Sequence, residues 1–157
     1  MTQEEKELLL KDLCARSPYK VKVQIDFGEH CIKYGIDRYV NDTVICVWPE
    51  TFEVGVNDED QACNIEDVKP YLRPMSSMTD EEMDKLFNIL HIDKDGKDED
   101  WIKINDIAGI KFFFPTGKWV ENVAEAYDYF NLIHIDYRGL IPMGLAIEAP
   151  EGMYNTK

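Results

Sequence analysis

The ten residues HIDKDGKDED, His91 to Asp100, come nearest in this sequence to a metal site, because five acidic residues surround one glycine. A calcium-binding loop requires oxygen donors at positions 1, 3 and 5, glycine at 6 and a bidentate glutamate at 12. Alignment on Gly96 puts Asp93 and Asp95 at positions 3 and 5, but His91 at position 1 and Ile102 at position 12. The stretch therefore predicts a solvated turn rather than a metal site, with weak cation binding as the alternative.

Three histidines and four cysteines could supply other chemistry. His30 and Cys31 are neighbours on a predicted strand and would point to opposite faces, so they do not share a metal ion. A nucleophilic thiol paired in space with a distant histidine is an open alternative. The cysteines lie on apolar, periodic segments, which predicts buried structural thiols. We assign no catalytic, cofactor-binding or metal-binding residue among His30, His91, His134, Cys14, Cys31, Cys46 and Cys63.

Motifs that bind phosphates or bases are incomplete. The segment PTGKW, residues 115–119, lacks the first glycine and the Ser or Thr of a phosphate-binding loop. The aromatic run FFFP, residues 112–115, has only Lys111 and Lys118 as basic neighbours, whereas a stacking platform for bases needs a basic groove. The run therefore predicts a buried strand.

The charge balance points to a protein partner. The 157 residues carry 31 acids against 17 Lys and Arg, a net charge of −14, and the excess is spread over both halves. Such a field repels nucleic-acid backbones and favours basic partners. The acidic clusters at 58–60, 80–84 and 98–100 raise the alternative of a DNA mimic that inhibits a nucleic-acid-binding protein, although interspersed bases would disrupt the imitation.

Two capping boxes predict where two helices begin. Thr2 with Glu5, and Thr79 with Glu82, have the spacing in which each side chain binds a backbone amide of the other residue. The first helix should carry an apolar stripe of Leu9, Leu10, Leu13 and Cys14 and end at Ser17-Pro18. The second should carry an apolar face of Met83, Leu86, Phe87 and Leu90, with Met78 and Met83 as a hydrophobic staple.

Between Tyr19 and Val56 the period changes to that of strands. We predict four short strands there, in YKVKVQID, CIKYGIDRYV, TVICVW and TFEVGV, with a turn at Asn41-Asp42. NDEDQACN reads as a polar loop. IEDVKPYLRP, with prolines at 70 and 74, suits an irregular or edge segment better than a central strand. The pattern favours an antiparallel sheet or small barrel.

The second half combines a hairpin and helices. WIKINDI and GIKFFF predict two strands closed by Pro115-Thr116-Gly117, a helical period begins at Trp119, and Pro142 could start a last short helix. The group Tyr127, Tyr129, Phe130 and Tyr137 should be mostly core, with a leftover exposed ring marking a partner surface.

A boundary at Arg73–Ser77 divides the chain into residues 1–77 and 78–157, packed as one compact unit. No secretion signal or membrane span is evident, which favours the cytoplasm and reduced thiols.

Two segments, IEDVKPYLRPMSSMTDEE and HIDYRGLIPMGLAIEAPEGMY, resemble a group of small uncharacterised proteins of gut-bacterial genomes, many on prophages and other mobile elements. That resemblance brings no known activity. Separately, the turn at DVKPYLRP after short strands is similar to small SH3-like barrels, in which a one-turn helix precedes the last strand. This second likeness is architectural only.

We expect an α+β protein with an N-terminal helix, a small antiparallel sheet or SH3-like barrel, and C-terminal helices with a β-hairpin. The functional prediction is a cytoplasmic, non-enzymatic, protein-binding accessory factor of a mobile element, without a cofactor. The alternatives are a small enzyme whose site is assembled from distant side chains, and the DNA-mimic inhibitor. The sequence identifies no partner, ligand or oligomeric state.

Overall fold

The computed structural model describes residues 1–35, 37–56, 61–90, 101–107, 110–115 and 123–154. They form three helices, eight strands and several short 3-10 turns. The arrangement confirms the predicted α+β class, with a helix, then a largely antiparallel sheet, then further helices and a hairpin.

The first helix, α1 (Gln3–Arg16), begins as predicted. The amide of Glu5 donates to Thr2 Oγ1 at 3.2 Å, and the amide of Thr2 donates to Glu5 Oε2 at 2.7 Å. Its inner face differs from the predicted stripe: Leu9 and Leu13 are buried, but Cys14 is exposed. The charged pair Asp12 and Arg16 completes that face instead.

Six strands form one sheet in the order β4-β3-β2-β1-β5-β8. All neighbours are antiparallel except β5 and β8, which are parallel. The strand bounds are β1 (Lys22–Asp26), β2 (Tyr39–Trp48), β3 (Glu53–Val56), β4 (Gln61–Asn64), β5 (Val68–Leu72) and β8 (Ile147–Glu148). A one-turn 3-10 helix, Ile65–Asp67, directly precedes β5, which is the feature expected from the SH3-like pattern.

The predicted second strand is wrong over most of its length, whereas the third, TVICVW, is confirmed as part of a longer strand. The first four residues of CIKYGIDRYV belong to a 3-10 turn (Glu29–Tyr34), and β2 then runs without a break from Tyr39 to Trp48. Asn41 and Asp42 pair with Gln24 and Val23 of β1 rather than turning. Asn41 also accepts a hydrogen bond from the Tyr71 hydroxyl at 2.9 Å, so a cross-strand contact overrides the turn preference of this pair.

Two further expectations about the sheet are corrected. The end of the predicted loop NDEDQACN forms β4, because Cys63 is buried opposite Val54. The segment containing Pro70 is a central strand, since β5 lies between β1 and β8. Pro70 is tolerated there because its register opposite Val23 turns the missing amide away from β1, and β8 pairs only with Tyr71 and Leu72.

The later elements follow the prediction in part. Helix α2 (Asp80–Ile89) begins at the predicted cap Thr79, and α3 spans Val123–Leu132. Strands β6 (Trp101–Ile107) and β7 (Ile110–Pro115) form the expected antiparallel hairpin. Pro142 lies in a turn rather than a helix. The predicted turn at 115–117 and the helix start at Trp119 fall largely outside the described residues.

Two buried clusters make up the core. One joins α1 to the inner face of the sheet, and the other joins α2 to α3 and the segment after it. The division into residues 1–77 and 78–157 stays a prediction, but contacts cross it: Arg16 in α1 donates to the carbonyl oxygens of Phe130 and Ile135 at 3.4 and 2.8 Å. Among the helices of the described part, none has the length and apolar character needed to cross a membrane.

The segment after β8 returns to the sheet through Tyr154. Its hydroxyl accepts from the Lys22 amide at 2.9 Å and donates to the Tyr71 carbonyl oxygen at 3.0 Å. The register of β1 and β5 would place Lys22 opposite Tyr71, so the phenol group stands where a direct ladder hydrogen bond would otherwise form.

Candidate functional site

The connection between β1 and β2 is held closed at its base. We call residues 28–39, which include most of this connection and the first residue of β2, the 28–39 loop. The Asp26 carboxylate accepts hydrogen bonds from the Gly28 amide at 2.8 Å and from Arg38 Nε and Nη2 at 2.9 Å each. The Phe27 amide donates to the Arg38 carbonyl oxygen at 2.9 Å. Hydrogen bonds from Arg38 and Gly28 lower the pKa of Asp26, and Asp26 raises the pKa of Arg38, so both stay charged at neutral pH.

Within the loop, the backbone is fixed by two glycines and a thiol. Gly28 (φ 76°) and Gly35 (φ 72°) take left-handed conformations on either side of the 3-10 turn, a region that favours glycine. The Cys31 thiol donates to the Phe27 carbonyl oxygen at 3.2 Å. The Arg38 guanidinium also lies 5.0 Å from the centre of the Tyr39 ring. These contacts give the loop a defined shape.

This loop presents apolar side chains to solvent. Ile32, Tyr34 and Tyr39 are 62%, 78% and 52% exposed, and they are the three most exposed large hydrophobic side chains of the described residues. Side chains of this type are otherwise placed in cores or in interfaces, where tyrosine is enriched. A loop that is fixed at its base and holds such side chains in water has the properties of a protein-contact surface.

A groove runs from the base of this loop to β4. Its walls are residues 25–28 on one side and Ala62, Cys63, Asn64 and Asp67 on the other, around a volume of about 400 Å³. β1 and β4 are separated in the sheet by two strands, so the sheet must curl to bring them to one groove. Cys63 is buried here, and burial first, then the nearby Asp67 and Asp42, raises the pKa of its thiol. The Cys63 thiol is therefore a poor nucleophile.

A second cleft, of about 650 Å³, lies between the start of α2 and the segment after β8. Arg73 is fully engaged in its wall: Nη1 and Nη2 bind the two Glu82 carboxylate oxygens at 2.7 and 2.8 Å, and Nη2 also binds the Ser77 carbonyl oxygen at 2.8 Å. Arg73 lowers the pKa of Glu82. Since each charged group of the pair is bound to the other, the pair holds α2 in place rather than offering a reactive group.

Of the three histidines, His134 is the one whose side chain is described. His134 is 5% exposed, stacks on Tyr154 with ring centres 3.9 Å apart, and leaves Nδ1 buried without a hydrogen-bond partner. Burial, then nearby cations, lowers its pKa to about 4, so its ring is neutral at pH 7. His30 lies in the 3-10 turn, with its side chain outside the described part, and His91 lies outside it altogether.

The four cysteines are free, and they occupy separate places. Cys63 is buried as predicted, whereas Cys31 and Cys46 are half-buried and Cys14 is exposed, which corrects the expectation of buried thiols for Cys14. In residues outside the masked stretches, no group of three His, Cys, Asp or Glu side chains could hold a metal ion. The calcium-loop question at His91–Asp100, like the acidic clusters at 58–60 and 98–100, falls on residues that are not described.

The predicted aromatic group is mostly core. Tyr129, Phe130 and Tyr137 are buried, and Tyr127 is the ring left 39% exposed. Tyr127 lies 5.2 Å from Tyr137 between ring centres, so it is partly engaged within the group. The larger exposed aromatic surface, in the 28–39 loop, was missed by the sequence reasoning, which took that segment for a strand with one inward face. The pair of glycines at 28 and 35 was the available signal for a loop.

Comparison of the chain with known protein families, with curated proteins and with solved structures found no match.

Proposed function

We propose that the protein is a non-enzymatic accessory factor that acts by binding another protein through the 28–39 loop. The observation that carries the proposal is the exposure of Ile32, Tyr34 and Tyr39 on a loop whose base is locked by Arg38 and Asp26. A preformed loop loses little conformational entropy on binding, so its apolar area contributes more to affinity. Aromatic anchors of this kind carry much of the binding energy in protein interfaces.

The net charge of the chain indicates which kind of partner surface it would bind. With a net charge of −14, the protein attracts basic surfaces and accelerates association with them. On the loop itself, Asp37 and Lys33 are both exposed and Glu29 lies 3.5 Å from Arg38 Nη1, so the preference for a basic partner rests on the charge of the whole chain. The proposed partner therefore combines an apolar contact patch with a basic rim. In keeping with the sequence resemblance, we place the protein in the cytoplasm as a factor of a mobile element.

The competing enzyme hypothesis has less support from the described residues. His134 is neutral and packed against Tyr154, and Cys63 lies in the groove beside the 28–39 loop with a raised thiol pKa. For the DNA-mimic hypothesis, the described cluster at residues 80–84 has Glu82 bound to Arg73. Neither hypothesis gains an observation comparable to the exposed loop.

Site-specific photo-crosslinking tests the proposal. We would replace Tyr34 with p-benzoylphenylalanine and, in a matched control, replace Leu132, which is also exposed (47%) but lies in α3. In extract of the source organism, the probe at position 34 should give a discrete adduct that excess unlabelled protein competes away. Competitor carrying Ile32→Ser and Tyr34→Ser should fail to compete. Identical adducts from both probe positions, or equal competition by the variant, would contradict the proposal.

A further inference from the structure

The outer edge of β4 has main-chain groups that are not used by the sheet. The pairing of β3 and β4 continues into the hydrogen bond from the Ile65 amide to the Phe52 carbonyl oxygen, 2.9 Å. Hydrogen-bonded pairs alternate along an antiparallel ladder. Gln61 and Cys63 therefore bond to β3, while the amides of Ala62 and Asn64 and the carbonyl of Ala62 point to the other side. On that side, the main chain of Ala62 forms no hydrogen bond with another described residue.

These groups face the groove at the base of the 28–39 loop, since Ala62 and Asn64 line it. The groove's buried surface is apolar: Ile25 and Cys63 are 2% and 7% exposed, and Phe27 is half-buried. A strand edge with free amides beside an apolar groove is the geometry by which extended peptides add to sheets.

The charges of the groove indicate which peptide fits. The Asp26 carboxylate is neutralised by Arg38, with Nε to Oδ1 at 2.9 Å. Asp67 is exposed at the rim, and its hydrogen bond within the described part comes from Asn64 Nδ2 at 3.4 Å, which leaves its charge uncompensated. A basic side chain would complement the negative charge of Asp67, and the net charge of the whole chain is negative as well.

We propose that this groove binds an extended segment of a partner protein, which adds to β4 as a further strand, with an aliphatic side chain against Ile25 and Cys63 and a basic one at Asp67. The inference rests on the proposed protein-binding function and names the binding mode. Main-chain pairing supplies affinity, and the alternate side chains supply selectivity.

Titration with model peptides, followed through the backbone amide signals of the full chain, tests this inference. The probes are the end-capped peptide Lys-Val-Thr-Val-Lys and a twin in which the amide nitrogens of both valines are methylated. The first should shift the Ala62 and Asn64 amide signals in a saturable way, and the methylated twin should not, because it has lost the N–H groups that pair with the edge.

Substitutions at Ala62 separate main-chain pairing from general attraction. Ala62→Pro removes only an amide that faces away from β3, so it should preserve the ladder, as proline does on edge strands. It should weaken peptide binding about tenfold, the value of one main-chain hydrogen bond. Ala62→Ser retains the amide and should bind like the wild type. Asp67→Asn should reduce binding of the lysine peptide but not of a Ser-Val-Thr-Val-Ser peptide.

Three results would overturn strand addition: no saturable shift at Ala62 and Asn64 at millimolar peptide, equal binding of the methylated twin, or equal binding by the Ala62→Pro and Ala62→Ser proteins. The methylated twin is tested on the wild-type protein, so a folding defect of Ala62→Pro does not affect it. A specific crosslink at position 34 without peptide binding at Ala62 would refute this inference alone. Peptide binding without a crosslink would refute the 28–39 loop as the contact surface.

Discussion

At the scale of single residues, His134 combines an unusual backbone conformation with a buried ring. It has a left-handed backbone (φ 57°), which is uncommon for residues other than glycine, and its Nδ1 is buried without a partner. The backbone is held there because the His134 amide donates to the Asn131 carbonyl oxygen at 3.2 Å and its carbonyl accepts from the Arg73 amide at 2.8 Å. The ring must stay neutral to remain buried.

This predicts a dependence of stability on pH. The pKa of His134 is about 4 when folded and 6.5 in its ordinary state, so the unfolded chain binds the extra proton between these values. The stabilisation is fully present above pH 6.5 and is lost as the pH falls toward 4, by roughly 3 kcal/mol in all. Urea denaturation between pH 5 and 7 should show this slope. His134→Asn, which tolerates the left-handed backbone but does not titrate, should flatten it; an unchanged slope would contradict the assignment.

Residue types alone predicted only part of the buried face of α1. Leu9 and Leu13 follow from helical periodicity, and both are buried. Asp12 and Arg16 lie on the same face and are fully buried, yet apolar periodicity counts them as solvent-facing. Their burial depends on partners distant in sequence, namely the carbonyl oxygens of Phe130 and Ile135 and the guanidinium of Arg138. No local pattern contains that information.

At the scale of elements, β2 and β3 depend on a close approach at Gly55. A β-bulge between Val44 and Cys46 shifts the register of β2, and Cys46 then lies opposite Gly55. A Cβ atom on residue 55 would overlap Cys46 Sγ and come within 3.0 Å of the Trp48 ring. The ring of Trp48 therefore lies across the glycine on the outer face of the sheet.

Gly55→Ala should consequently destabilise the protein by about 1–3 kcal/mol, the usual cost of overpacking. Because the sulfur is the nearest obstacle, the same substitution should cost less in a Cys46→Ala background. A double-mutant cycle measured by thermal or urea unfolding gives the coupling between the two positions. Equal costs in both backgrounds would show that the Cys46 side chain is not what excludes a Cβ.

Elements were predictable where the signal was local. Both capping boxes placed the helix starts correctly, since each depends on residues three apart. The sheet was harder to predict, because β4 and β5 are defined by the strands with which they pair. β4 forms where Cys63 is buried opposite Val54, and β5 can be central because its pairing with β1 turns the missing amide of Pro70 away from β1. The groove of the candidate site was therefore invisible in sequence, as its two walls come from segments 25–28 and 62–67.

At the scale of the whole molecule, Arg16 connects the N-terminal helix to the last third of the chain. Its Nε and Nη2 bind the Asp12 carboxylate at 2.7 and 3.1 Å, and Nη1 and Nη2 reach the carbonyl oxygens of Phe130 in α3 and Ile135 after it. Arg138 Nε binds Asp12 as well, at 3.1 Å. This buried network determines how the two core clusters are joined.

Arg16→Met should destabilise the fold by about 3–5 kcal/mol, because the fully buried Asp12 carboxylate loses one of its two described arginine partners. The Phe130 and Ile135 carbonyl oxygens also lose one hydrogen bond each and keep those from the Ile135 and Tyr137 amides. Arg38→Met is the matched control: its ion pair with Asp26 is 35% exposed on both sides, so the loss of stability should be much smaller than for Arg16→Met. Urea denaturation of both variants measures the difference. The network would have no such role if the two substitutions had equal cost.

The position of Tyr154 has a consequence for synthesis of the chain. As residues emerge in order, β1 and β5 become available long before β8 and Tyr154, so the amide of Lys22 and the carbonyls of Tyr71 and Leu72 remain uncovered in the nascent polypeptide. Exposed strand edges invite pairing with other chains. During translation these strand edges should therefore stay open to wrong pairing until β8 and Tyr154 have emerged from the ribosome.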